Sequence, residues 1–470
     1  MAIDSAYLPG PSVLPLVGAR GNLARFLLDP VGYTAGLYRD YGRVCTIAGG
    51  HAGAMLFAFG PEYNHQVLSD SELFRSPSFL NFPVPDGSAP QRLDSGLISM
   101  NGAQHKQHRR LLQPAFHRRQ VEGYRDAMVT TAEHYLERWR TGDQLNLAHE
   151  MQMLTLLVAS RVLFGLDTEA EAEQLGAMTT RWFELLLAPA VLLAPYDLPG
   201  SPYRAMLRHA EVMDTAYRAM IERKRATVEE QHDVLATLIQ TRDEDGARLS
   251  DAELIGHAHN IFVAGHDSSA NTLTWALFLL AQHPQVYADL RDELHGLLRG
   301  AAPTLEQLGR LPLLDGVLKE TMRLMTPAIM IKRDTTATCE IGGYLVPGGT
   351  PVLISPYITH RLSELYPDPE RFVPARWFGL DRGPYEYLPF GAGPHMCIGA
   401  SFAQQEMKLV LALIVQRYAF ETVAGTRIDR QVRLFLAPRA GMPLRLLPPD
   451  HKPKRVPVSG NVHEMVNLVG

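Results

Sequence analysis

"FGAGPHMCIGA" occupies Phe390–Ala400 and decides how the chain is read. It holds one of only three cysteines in 470 residues. Gly391 and Gly393 precede Cys397, and Gly399 follows two places after it. From Ile398 the sequence "IGASFAQQEMKLVLALIVQRYAF" carries apolar residues at helical spacing, so the cysteine stands just before a predicted helix. Helix N-termini offer unpaired amides and partial positive charge, and both favour a thiolate over a thiol. Gly393 and Gly399 are expected to let the backbone turn tightly and to let a flat ligand approach. Phe390 is placed to pack on the sulfur and exclude water. A soft anionic ligand held rigidly in a dry site suits a transition metal. A buried structural cysteine and a nucleophile are the alternatives. The glycine frame weighs against the first, and no local cysteine-hydrolase signature supports the second.

The bulk numbers frame this reading. The chain is 46% hydrophobic, 20% charged and 8% aromatic, which fits a globular protein with a large core. A formal net charge of −5 argues against wholesale nucleic-acid binding. Cys45, Cys339 and Cys397 are far apart and odd in number. That disfavours a disulfide framework or zinc ribbon and points to a reducing, cytoplasmic setting. Pro9, Pro11 and Pro15 interrupt the N-terminal stretch, so neither a signal peptide nor a membrane anchor is expected there. "LLLAPAVLLAPY" (185–196) is broken by Pro189 and Pro195 and reads as a buried helix end and loop, or as a lid over an apolar pocket.

Residues 42–59 read as two strands around a glycine-rich turn. Residues 76–100 read as one long irregular loop, of the kind that often carries function. From about 103 to 300 the pattern is helical. The longest helix is predicted to start at Ser250, where "SDAE" forms a capping box, and to stop near His283 before Pro284. Its middle is apolar on most faces, so it should be buried. "CEIGGYLVPGGTPVLISP" (339–356) reads as short strands around a Gly-Gly turn, and "VRLFLAPRAGMPLRL" (432–446) as a hairpin. The expected fold class is mainly α with a small β-rich portion. One domain should span 1–450, with 451–470 a loosely held tail.

Other motifs share the order of the cysteine loop. "FGAGPHMCIGA" resembles the haem-binding loop of the cytochromes P450, Phe-Gly-x-Gly-x-(Arg/His)-x-Cys-x-Gly, through Phe390, Gly391, Gly393, His395, Cys397 and Gly399. "KETMR" matches that family's Glu-x-x-Arg with Glu320 and Arg323, one turn apart on a helix face. "FVPAR" supplies Arg376 as the third member of the implied buried triad, with Ala375 where glutamate is often found. "HKQHRR" matches His-x-x-x-Arg with His105 and Arg109. The resemblance implies that His105, Arg109, Arg333 and His395 bind the propionates of haem b, whose iron takes Cys397 as its axial ligand. It spans about Pro9 to Leu446.

"FVAGHDSSANT" (262–272) resembles the family's oxygen-binding stretch. Ala264 and Gly265 are expected where the long helix bulges over the haem. Asp267 is expected to relay protons, and Ser268 replaces the usual threonine. Serine keeps the hydroxyl but lacks the methyl group that restricts its rotamers. Control of proton delivery is the property this change puts at issue. Three histidines, His257, His259 and His266, have spacings that do not converge on a zinc site.

The resemblance implies a soluble, bacterial-type monooxygenase that inserts one atom of O2 into a hydrophobic substrate. Electrons are expected from a separate ferredoxin and its NAD(P)H-dependent reductase. The basic run at 105–119, with Lys408, is a candidate docking face, and an ordinary solvated helix face is the plainer account of it. The implied pocket draws on 76–100, 180–200, Asn260, Val263, Ala264, Ala328, Ile329 and Leu434, Phe435 and Leu436. A peroxide-driven enzyme without redox partners and a non-catalytic haem sensor or carrier are the competing readings.

Overall fold

The long helix forms as its sequence predicts. In the computed structural model it spans Asp251–Gln282 (α6 below), 32 residues and about 48 Å at the usual rise. Ser250 caps it: its hydroxyl accepts from the Glu253 amide, and the Glu253 carboxylate accepts from the Ser250 amide at 2.8 Å. Residues 254–263 and 269–282 are buried throughout, which places this helix at the centre of the core. The structure describes residues 3–4, 8–13, 18–50, 54–80, 82–166, 168–230, 233–243 and 246–468.

Seven further helices position the site. They are α1 (Ala89–Asp94), α2 (Gly102–Leu112), α3 (Leu147–Phe164), α4 (Glu169–Leu186), α5 (Pro202–Ala226), α7 (Pro312–Leu324) and α8 (Ala400–Arg417). Helix α3 lies hard against α6. A Cβ on Gly265 would come within 2.8 Å of Leu163 Cδ1, and the Thr155 hydroxyl donates to the His266 carbonyl at 3.1 Å. Helix α6 runs unbroken through Ala264 and Gly265, so the expected bulge is absent as a break. What offsets the cost of a mid-helix glycine is the close approach of α3.

The largest sheet has five strands in the order Val44–Thr46, Leu56–Ala58, Pro351–Ile354, Ile331–Thr335, Phe74–Arg75. It carries Arg333 toward the site. Gly342 and Gly343, at φ of 59° and 84°, form the predicted turn between Cys339–Ile341 and Tyr344–Val346. The C-terminal hairpin is shorter than its sequence suggests. Arg430–Val432 pairs with Leu436–Pro438, while Pro443–Leu447 joins Ala419–Thr422 and Gln144–Asn146 instead. The 76–100 segment is not wholly irregular, because it contains α1.

Within the expected loose tail, residues 462–468 are packed. Val462, Met465, Val466 and Leu468 are fully buried in the main core. Buried Arg430 pairs with Glu464 at 2.6 Å and with Asp29, Arg361 donates to the Met465 carbonyl, and the Asn467 amide donates to Glu370. Apolar side chains scattered among polar ones hide their partners from a periodicity reading. Met465→Ala should destabilise the fold by about 2–5 kcal/mol, measured by denaturant titration, as for other large buried side chains. A cost under about 0.5 kcal/mol would contradict the packing.

Candidate active site

The cysteine loop is built by two left-handed glycines. Gly391 and Gly393 have φ of 69° and 70°, and a Cβ on Gly393 would fall 2.0 Å from the Leu68 carbonyl oxygen. Gly399 has an ordinary φ of −86° and caps α8, so its role differs from the expected one. Its amide faces the Cys397 sulfur, and the Cys397 amide donates to the Phe390 carbonyl at 2.8 Å. The Cys397 side chain is exposed, yet it lies deep enough that desolvation pushes its thiol up. It therefore faces a cleft and not bulk water. The Gly399 amide and the Arg109 charge act the other way, toward thiolate.

Four basic side chains gather beside it. His105 and His395 stack with ring centroids 3.8 Å apart, and Arg109 donates to the Met396 carbonyl at 2.7 Å. Arg333 is almost wholly buried and donates to the carbonyl of Lys332. Burial, then mutual repulsion with its basic neighbours, lowers His395 to about 3 and His105 to about 4. Burial lowers Arg333 to about 10. Among the described residues no carboxylate offsets this group, and buried His395 Nε2 has no partner. Buried cations without an anion are costly. A planar metal macrocycle bearing two carboxylates meets each need: a metal for the sulfur and anions for the four bases.

Glu320, Arg323 and Arg376 meet as one buried unit. Arg323 donates twice to Glu320, both at 2.9 Å, and Arg376 donates to it at 2.9 Å. Trp377 Nε1 and the Val373 amide complete the carboxylate's shell at 3.0 Å each. Arg323 also donates to the carbonyls of His360, Pro369 and Arg371. His360 in turn accepts from the Leu388 amide at 3.0 Å, two residues before Phe390. The unit therefore ties α7 to the start of the cysteine loop. Sequence reading missed Trp377 and His360, whose partners are set only by the fold.

Along α6 the burial lapses at one place. Ala264 is exposed and Gly265 to Asp267 and Ser268 are partly so, within a helix buried on both sides of them. The Ser268 hydroxyl donates to the Ala264 carbonyl at 3.0 Å, and Asn271 Nδ2 donates to Asp267 Oδ1 at 3.2 Å. Glu406 on α8 is a third missed residue. It is fully buried with Ser269 beside it, but neither carboxylate oxygen forms a well-shaped hydrogen bond. Burial pushes its carboxyl up to about 8. The folded state thus holds a proton that the unfolded chain releases above the ordinary value of 4.5, so stability falls as pH rises between those values. Glu406→Gln lacks this penalty. It should be more stable than the parent at pH 8, by on the order of 1 kcal/mol per pH unit above the ordinary value, and equal to it near pH 5. Melting curves across that range check the sign.

A small apolar cavity of about 20 Å³ lies against α6, lined by Phe79, Leu80, Ile98, Trp182, Phe183 and Val263, with Asp94, His259 and Asn260 its polar members. It joins three of the expected segments. Ala328, Ile329 and Leu434 to Leu436 are not part of its wall. Two of those segments are tied together elsewhere, where the Leu436 amide donates to Pro327 and its carbonyl accepts from Trp275. Asn260 is no free anchor, because its Oδ1 accepts from the Ile98 amide at 3.1 Å and pins the 76–100 segment to α6. The three α6 histidines face different partners: His257 meets His108 at 2.9 Å, His259 meets Tyr217 at 3.3 Å, and His266 donates to Phe262 at 2.8 Å. Lys408 is held by Asp315, which takes it out of the open basic set.

The comparisons agree with this geometry. The cytochrome P450 family pattern matches residues 8–443. Cyclooctat-9-en-7-ol 5-monooxygenase of Streptomyces melanosporofaciens is 33% identical over 431 residues, covering 89% of this chain and 90% of that protein. Pentalenene oxygenase of Streptomyces avermitilis is 29% identical over 418 residues, covering 87% and 90%. A retinoic acid-bound cyanobacterial CYP120A1 superposes with a TM-score of 0.82 over 95% of this chain and all of that one, at 24% identity, which speaks to the fold. The chain belongs to the cytochrome P450 family and is a haem-containing monooxygenase of that family. Among the described residues no single helix is long and apolar enough to cross a membrane.

Proposed function

We propose that the chain inserts one atom of O2 into a terpenoid, by hydroxylation or epoxidation, with two electrons from a separate ferredoxin and its reductase. For hydroxylation, a C–H bond, O2, two electrons and two protons give an alcohol and water. The observation that carries this reading is the set of aromatic and aliphatic side chains around a small cavity against α6, beside the exposed Ala264. Two relatives whose printed names describe oxidation of cyclooctat-9-en-7-ol and of pentalenene support the substrate class.

Haem, held by Cys397 and the basic group, supplies the activation of O2 that no side chain provides. The protein supplies position, dryness and protons. Phe79, Trp182 and Phe183 desolvate an apolar substrate. Asp267 is partly exposed and takes up protons from solvent. Ser268 Oγ parks its own proton on the Ala264 carbonyl and keeps lone pairs to accept another. Exposed Lys106 and Arg119 present positive charge to an acidic ferredoxin.

An optical titration of the haem-loaded ferric protein with terpenes and with polar compounds of similar size tests the proposal. A low- to high-spin shift with terpenes supports it, and a shift with polar compounds alone overturns it. Ser268→Ala should raise the fraction of electrons lost as hydrogen peroxide several-fold, whereas Ser268→Thr should hold or lower it. Equal peroxide yields in all three proteins would contradict a proton-handling role.

A further inference from the structure

A pair of buried imidazoles joins α2 to α6. His108 on α2 and His257 on α6 are both buried, and His108 Nδ1 lies 2.9 Å from His257 Nε2. The two rings are tilted by 42°, with centroids 5.1 Å apart. At the far side of His108, Nε2 lies 3.3 Å from a carboxylate oxygen of the partly exposed Glu253. At the far side of His257, Nδ1 is buried and has no partner among the described residues. Burial lowers His257 to about 3, and it lowers His108 against the pull of Glu253. Among the described residues the charges that bear on the pair are Glu253 on His108 and the rings on each other.

Counting protons shows what this arrangement admits. Two ring nitrogens 2.9 Å apart have room for one proton between them, because two N–H groups cannot face each other at that distance. The neutral pair carries two protons. One is shared across the gap, and the other goes to an outer nitrogen. The Glu253 carboxylate draws it to His108 Nε2, a placement assigned by the charges around it. A third proton has only His257 Nδ1 left. There it would be a buried donor without an acceptor, on a pair that had become a buried cation.

The helix held in this way carries two of the site's bases. His108 lies between His105 and Arg109 on α2, and those two reach His395 and the Met396 carbonyl beside Cys397. At the start of α2, Asn101 exchanges hydrogen bonds of 2.7 and 2.9 Å with Ser76, while the His108 link ties the helix to α6. We propose that His108 and His257 are positioning residues: neutral, they hold α2 to α6 and keep His105 and Arg109 set for the haem carboxylates, and a third proton on the pair releases them. The proposal rests on the reading that those two bases hold haem, and not on the substrate class. Its sign follows from burial. Below the ordinary histidine value of 6.5 the separated rings take up protons that the joined rings refuse, so the hold is full above that value and weakens as pH falls through it.

The test is the rate at which the loaded protein gives up haem to an excess of an acceptor haem protein, at about pH 7.5 and about pH 5.5. His257→Leu removes the link and should lose haem at least about fivefold faster than the parent at the higher pH, the worth of one hydrogen bond. His257→Gln keeps an N–H for His108 Nδ1 but not the second titratable ring. It should match the parent within about twofold at the higher pH, and its acceleration at the lower pH should be about tenfold smaller than the parent's, the linkage of one ring. A role in packing alone would leave the parent's pH dependence in both variants. Haem loss from His257→Leu as slow as the parent's overturns the proposal, and so does equal acceleration of the parent and His257→Gln in acid. Arg109→Ala tests the reading beneath it: faster loss supports that reading, and unchanged loss overturns it and the proposal together. Should His257→Leu not fold, the pH profile of His257→Gln decides.

Discussion

Cys397→Ser should fold and yet lose monooxygenation, by more than about 100-fold. Removing a mere outer-shell partner of a metal ligand already costs 10- to 100-fold, and this change removes the ligand itself. The side chain is exposed and supports no core packing, so apo-protein stability should change by less than about 0.5 kcal/mol. The carbon monoxide complex of the reduced variant should lack the thiolate signature that the parent shows. An unchanged spectrum would mean that another group holds the iron. A variant that fails to fold would assign Cys397 a packing role that its exposure denies.

Arg323→Ala should have the opposite profile, a large loss of stability with no group removed from the reacting centre. The change strips two hydrogen bonds from the Glu320 carboxylate and leaves the carbonyls of His360, Pro369 and Arg371 without their donor, all inside the core. Breaking a buried pair in this way costs about 3–5 kcal/mol, a large share of the 5–15 kcal/mol that holds a typical domain together. Denaturant titration should show that loss, and haem should dissociate more readily because His360 no longer fixes the approach to Phe390. Arg323→Lys should recover little, since an ammonium cannot serve two carboxylate oxygens and three carbonyls in one plane. A variant as stable as the parent would show that the triad is incidental.

The parts of this molecule that were legible in sequence are those fixed by local constraint. The Ser250 capping box and Pro284 bound the central helix because each acts within a turn of itself. Gly391 and Gly393 mark the cysteine loop because both have positive φ, and at Gly393 a carbonyl 2.0 Å from the missing Cβ leaves no room for a side chain. Long-range partners were not legible. Gly265 was expected at a bulge over the haem, but the contact that favours glycine there is Leu163 on α3, far away in sequence. Glu406 sits among Gln404, Gln405 and apolar residues, and only the packing of α8 on α6 shows that its carboxyl is sealed from water. Asn260 and His259 are adjacent in sequence, but one accepts from the 76–100 segment while the other meets Tyr217 on α5. That difference lies in Ile98 and Tyr217, 162 and 42 residues away.

The central claim is that this chain transfers one atom of O2 to an apolar substrate at the Cys397 site. Turnover under isotopically labelled O2, with ferredoxin and reductase present and a terpene that shifts the spin state, tests it most directly. The account predicts a product carrying one labelled oxygen, formed only when electrons are supplied. Product whose oxygen comes from water, or product formed at the same rate without an electron donor, would contradict it.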